Sequence, residues 1–217
     1  MTTHATPILE IAIAPILGRT IDDELTADGE VWREIFSHVM NIPGLIRSSW
    51  SLNHHNRDIN MFLVDWESYP QHERFMNEQG TLSKPIMDLM TGDFNMYHIQ
   101  TTTQSRAWLR APVTYLSFYV LPPSSLPNFA ALLTALKDAY ALSSGFVEVV
   151  SGDARNPPRH DPQGWMKNGQ GVVIVLSGWE SPEALGKALE RKEVSDATKE
   201  VEKLCKTGEV SVHVYGC

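Results

Sequence analysis

The sequence predicts an α+β fold built twice, as two βαββαβ copies fused in one chain. Asn60–Ser68 (NMFLVDWES) and Val173–Ser181 (VIVLSGWES) read as the same apolar strand running into the same Trp-Glu-Ser helix start. Apolar stretches open each half at Ile8–Ile16 and Val113–Leu121, and Gly92–Ile99 and Gly208–Tyr215 close it after a glycine. A repeat of about half the chain marks two copies of one small unit. The expected division is 1–104 and 105–217.

In the first copy, Trp32, Ile35, Phe36 and Val39 fall at helical spacing and Pro43-Gly44 ends that helix. Leu45–Leu52 and Ile59–Asp65 are extended runs joined by the polar loop Asn53–Asp58, which reads as a hairpin. Ser68 is placed to cap the next helix, whose apolar residues Phe75, Met76, Ile86, Leu89 and Met90 are interrupted at Gly80, so a helix in two pieces is expected. In the second copy, Phe129, Leu132, Leu133, Leu136 and Tyr140 form a helical stripe before the strand Phe146–Val150. Pro182 follows the N-cap Ser181, and Ala184, Leu185, Ala188 and Leu189 line the buried side of the helix it opens. Ser151–Gly171, rich in proline and glycine but carrying Trp165 and Met166, is far longer than a hairpin loop and is expected to be a lid.

The chain has 217 residues, 42% hydrophobic and 20% charged, with a formal charge of −8. That is ordinary for a globular protein and offers nothing to a phosphate backbone, so no nucleic-acid partner is expected. Cys205 and Cys217 make no disulfide framework. The run Ile8–Ile16 contains Glu10 and Pro15 and is too short to span a bilayer. A cytoplasmic protein without membrane contact is expected, monomeric or further paired as a homodimer.

The strand-helix-strand-strand-helix-strand order, with Trp66-Glu67-Ser68 and Trp179-Glu180-Ser181 at the turn into the second helix of each copy, resembles the dimeric α+β barrel superfamily, in particular its antibiotic-biosynthesis-monooxygenase branch. The resemblance covers nearly the whole chain. It implies two ferredoxin-like βαββαβ repeats forming an intramolecular dimeric α+β barrel, with a ligand pocket between the sheet and helices of a repeat. Members oxygenate phenolic polyketides without a cofactor, cyclise polyketide chains, degrade haem or isomerise small molecules, so the fold does not fix the reaction. In the cofactor-free oxygenases an Asn stands four residues before the strand-end Trp and a Tyr six after it. Those positions hold Phe62 and His72 here, and Val175 and Leu185 in the second copy. The histidine that many members carry late in the second helix is missing from Phe75–Ile86 and from Ala188–Lys199, and no histidine aligns with a haem ligand.

Histidines concentrate in the first copy, at 38, 54, 55, 72 and 98, against 160 and 213 in the second. The active site is therefore expected in the first copy. His98 shares a strand face with Phe94 and Met96, an apolar setting in which an imidazole is tuned easily across neutral pH. His72 lies early in the second helix, within reach of the strand that carries Trp66. These two and Asp65 are the expected catalytic groups, and Gly178 and Val214 replace Asp65 and His98 in the other copy. Trp50, Trp66, Phe62, Phe94, Met96, His38 and Trp165 are the expected substrate contacts. Trp66 recurs as Trp179, which also fits a core plug. Adjacent His54 and His55 point apart on an extended chain, so neither a metal nor an organic cofactor is expected. The expected function is acid/base cyclisation, isomerisation or elimination of an apolar polyketide- or terpenoid-like molecule. Cofactor-free monooxygenation of a phenolic polyketide is the alternative, and a non-catalytic stress-type or ligand-binding protein a third.

Overall fold

Helix starts and tight turns follow from local chemistry, and the computed structural model places them where those residues stand. It describes residues 6–16, 21–23, 25–53, 55–78, 83–100, 107–155, 170–205 and 210–216. Two compact units divide the chain, one through Gln100 and one from residue 101. The first contains β1 (Ile8–Pro15), α1 (Ala27–Val39), β2 (Leu45–Asn53), β3 (Ile59–Trp66), α2 (Tyr69–Glu78), α3 (Ser83–Leu89) and β4 (Asn95–Ile99). Its strands pair antiparallel in the order β2-β3-β1-β4. The second contains β5 (Val113–Leu121), α4 (Leu126–Ala141), β6 (Phe146–Arg155), β7 (Gly171–Trp179), α5 (Pro182–Glu190), α6 (Lys192–Glu202) and β8 (Val210–Gly216), with the sheet order β6-β7-β5-β8.

Helix α1 begins where the Thr26 hydroxyl accepts the Gly29 N–H at 3.0 Å, with Asp28 and Glu30 on its positive end. It buries Trp32, Ile35 and Val39. The turn after it needs a left-handed residue: Gly44 sits at φ +87° and its counterpart Gly145 at φ +76°. The carbonyls of both glycines accept the N–H of the Glu after the strand-end Trp, Glu67 and Glu180, at 2.8 Å. The duplication thus reaches down to single hydrogen bonds. Helix α5 starts as its sequence requires, with Ser181 accepting the Ala184 N–H at 3.1 Å and Pro182 in the first turn.

The copies differ in how they fill the space between helices and sheet. The second unit packs one continuous core there, including Tyr119, Phe129, Tyr140, Trp179, Leu185 and Val201. In the first unit the buried apolar residues fall into smaller clusters, one around Trp32, Ile35 and Leu89 and another around Val64 and Trp66. Strand β6 runs on to Arg155, so Ser151–Arg155, expected to open an irregular connection, is strand instead. Residues 156–169, with Trp165 and most of the expected lid, lie outside the described residues. No described helix is long and apolar enough to cross a membrane.

Candidate active site

Strand alternation puts Glu10, Ala12 and Ala14 on the same face of β1. The two small alanines leave room under the helices, and a cavity of about 190 Å³ opens there. Trp32 of α1, Phe62 of β3, and Phe75 and Met90 wall it. Among the described residues that line it, Glu10 and Asn60 are the polar ones, and the Asn60 side-chain N–H donates to the Ser51 carbonyl at 3.2 Å. Glu10 is thus the one ionisable side chain among the described residues that line this largely apolar cavity.

Register places Glu10 directly across from His98 on β4. The Trp66 indole Nε1–H donates to Glu10 Oε2 at 2.7 Å, and His72 Nε2 stands 3.3 Å from the same oxygen. The His72 and His98 rings lie 4.5 Å apart, and Tyr69 meets His98 edge-on at 5.3 Å. All three ionisable groups are buried: Glu10 is 5% exposed, His72 4% and His98 5%. Burial pushes the Glu10 carboxyl up from 4.5 to about 7, against the opposing pull of the Trp66 hydrogen bond. Burial, and secondarily His72, pushes His98 down from 6.5 to about 3. Neither ring nitrogen of His98 makes a hydrogen bond among the described residues.

A carboxyl poised near neutrality in contact with an imidazole can pass a proton between substrate and protein. The same atoms could surround a cation: one donor each from Glu10, His72 and His98 lie within 4.8 Å of one another. Sequence spacing hides this set because its members sit on β1, α2 and β4.

The second copy shows that the fold does not demand these groups. Ile8 pairs with Trp66 as Val113 pairs with Trp179, so Tyr115 takes the place of Glu10, and its partner across the ladder is Val214. Leu185, six residues after Trp179, replaces His72, six after Trp66. The Trp179 indole N–H donates to Ser177 at 2.9 Å rather than to a carboxylate. Trp66 is thus a buried core residue like Trp179, and it also lines the cavity and holds Glu10.

The structure brings His72, His98, Trp66, Phe62, Phe94 and Met96 to or beside the cavity. Four expectations are corrected. Asp65 faces away from Trp66, 2% exposed, and pairs with Arg47 at 3.2 Å, so it does not reach the histidines. His38 is on the exposed side of α1. Trp50 backs Trp32 at 5.4 Å instead of lining the cavity. His98 does not titrate near neutrality, because burial penalises its charged form; that property belongs to Glu10. Glu10 is the residue that sequence reasoning missed. Its signal was a lone carboxylate in an apolar strand, in phase with Ala12 and Ala14 rather than with the polar ends.

A buried cluster of ionisable groups thus lies at the side of a largely apolar cavity within one of two ferredoxin-like units, the kind of concave site in which small molecules commonly bind. Searches with protein-family models and among curated proteins found no match. Solved structures do resemble the chain. An anthrone oxidase-like protein superposes with a TM-score of 0.70 at 14% identity, over 100% of this chain and 93% of that one. A candidate monooxygenase from Fusobacterium nucleatum subsp. nucleatum gives 0.66 at 9% identity, over 99% and 93%. Another from Lactobacillus acidophilus gives 0.61 at 10%, over 97% and 93%. At such identities the likeness shows the fold, the dimeric α+β barrel fold of antibiotic-biosynthesis-monooxygenase-like proteins, carried here by one chain.

Proposed function

We propose that this chain is an enzyme that moves a proton on a compact apolar molecule held in the cavity of the first unit, with the Glu10–His72–His98 cluster as its acid/base centre. One observation carries the reading: among the described residues, the single ionisable group on the cavity wall is a buried carboxyl backed by two buried imidazoles. Cyclisation, isomerisation and elimination each need a proton taken from carbon or oxygen and returned elsewhere, and an apolar enclosure strengthens that exchange. The cavity is slightly larger than one of ~150 Å³ that takes benzene, so a molecule of one or two rings fits.

Exchange of the α-hydrogens of 2-tetralone into D2O, followed by NMR under nitrogen, tests this. The protein is expected to accelerate exchange, and Glu10→Gln to lose most of the acceleration. Equal exchange in both proteins removes Glu10 from the chemistry, and no acceleration at all favours a ligand-binding protein. The names of the similar structures, monooxygenase and anthrone oxidase-like, favour a second reading, monooxygenation, of which the cofactor-free oxidation of a phenolic polyketide is one form. Turnover that stops under nitrogen and returns with air selects it.

A further inference from the structure

We propose that Glu10, His72 and His98 form a binding site for a divalent transition-metal ion. The inference deepens the proton-transfer reading and rests on it for the role of the cavity. Two imidazoles and one carboxylate make a ligand set suited to Zn²⁺, Fe²⁺ or Co²⁺, with Cys and other soft donors absent from the cluster. Donor atoms bound to a common ion of this kind sit roughly 3–3.5 Å apart, from metal–ligand distances of about 2.0–2.2 Å. The three here lie within 4.8 Å, and the Glu10–His72 pair is already at 3.3 Å, so small rotations suffice.

Two further observations point to a ligand. Both ring nitrogens of His98 are buried without a hydrogen bond among the described residues, a costly state that coordination would relieve. Trp66 donates to the Glu10 carboxylate at 2.7 Å, the outer hydrogen bond that orients a ligating carboxylate. The second copy, with Tyr115, Leu185 and Val214 in these places, keeps the fold without the ligand set. Three protein ligands leave a coordination position for water or substrate, and Glu10 brings the site to the cavity wall. An ion there would polarise a substrate oxygen or acidify a bound water, either of which eases proton removal.

Anaerobic titration of the full chain with Co²⁺, read by visible absorption and by calorimetry, tests the site. One equivalent is expected to bind, with absorption of a low-coordinate ion. Affinity should fall roughly 100-fold or more in Glu10→Gln and His98→Val, since even outer partners of such sites contribute 10–100-fold. His55→Ala, on an exposed loop outside the cluster, should bind as wild type. His72→Leu, which installs the second copy's residue, gives an independent variant should His98→Val fail to fold. Absence of saturable binding overturns the proposal, as does binding that all three cluster variants leave unchanged. Exchange of 2-tetralone hydrogens by chelator-treated protein, together with no saturable Co²⁺ binding, overturns the cation site and leaves proton transfer standing. Co²⁺ binding without any exchange does the reverse.

Discussion

His98→Val should stabilise the metal-free protein and weaken it relative to wild type once cation is added. Valine at this place is tolerated by the fold, since Val214 stands opposite Tyr115 as His98 stands opposite Glu10. In wild type the His98 nitrogens are buried without hydrogen bonds, a burden of roughly 1–3 kcal/mol for an unsatisfied group. The substitution also forfeits ring contacts with His72 at 4.5 Å and Tyr69 at 5.3 Å, worth about 0.5–1.5 kcal/mol each at most. Two such nitrogens at about 2 kcal/mol each, less at most about 3 kcal/mol of lost contacts, leave a gain on the order of 1 kcal/mol, which is roughly 2–4 °C in Tm for a chain of this length. Added Zn²⁺ at a hundred times its dissociation constant would stabilise wild type by about 2.7 kcal/mol and the variant hardly at all, so the order inverts. Thermal melts in chelator and in Zn²⁺ read both halves. A variant less stable than wild type in chelator would refute the account of His98 as a strained polar group. Equal response of both proteins to Zn²⁺ would refute its role as a ligand.

Gly145→Ala should cost more than 2 kcal/mol, because φ +76° is strained for alanine and the new methyl would lie 2.6 Å from the Ala184 Cβ. Pairing it with Ala184→Gly should recover the clash but not the backbone strain, and urea unfolding of the single and double variants separates the two. Burial pushes the Cys205 thiol up to about 11, so iodoacetamide should modify it slowly at pH 8 in the native protein and readily after unfolding. Because its folded pKa is raised, its contribution to stability is full below 9 and lost as pH rises through about 11. Fast native alkylation at pH 8 would contradict its burial.

The fold was legible because its signals are local and doubled. Trp-Glu-Ser occurs twice, glycines 44 and 145 need the same left-handed turn, and Ser181-Pro182 caps a helix by its own side chain. The site was legible only in part. His72 and His98 stood out as histidines without counterparts, but whether Asp65 joined them depended on which face of β3 it occupied. Alternation from Trp66 already turned it away, and Arg47 on the neighbouring strand, which pairs with it, could not be seen from β3 alone. Glu10 was hidden for the opposite reason. A carboxylate within an apolar strand reads as an interruption until register sets it beside His98 and Trp66.

The same indole explains how one copy could acquire a site while the other kept a core. A buried Trp N–H needs an acceptor. In the second unit Ser177, two residues before Trp179, supplies it within the strand, and Trp179 belongs to a continuous hydrophobic cluster. In the first unit the place of Ser177 is taken by Val64, which cannot accept, and the Trp66 N–H reaches across the sheet to Glu10. Trp66 therefore anchors a carboxylate that the apolar surroundings would otherwise expel. With Glu10 held, His72 and His98 gather around it and Ala12 and Ala14 leave the adjoining space open. A buried charge is costly unless it is paired and hydrogen-bonded, so the Trp66 N–H and the His72 ring, both against the same Glu10 oxygen, are what make the carboxyl tolerable in this unit.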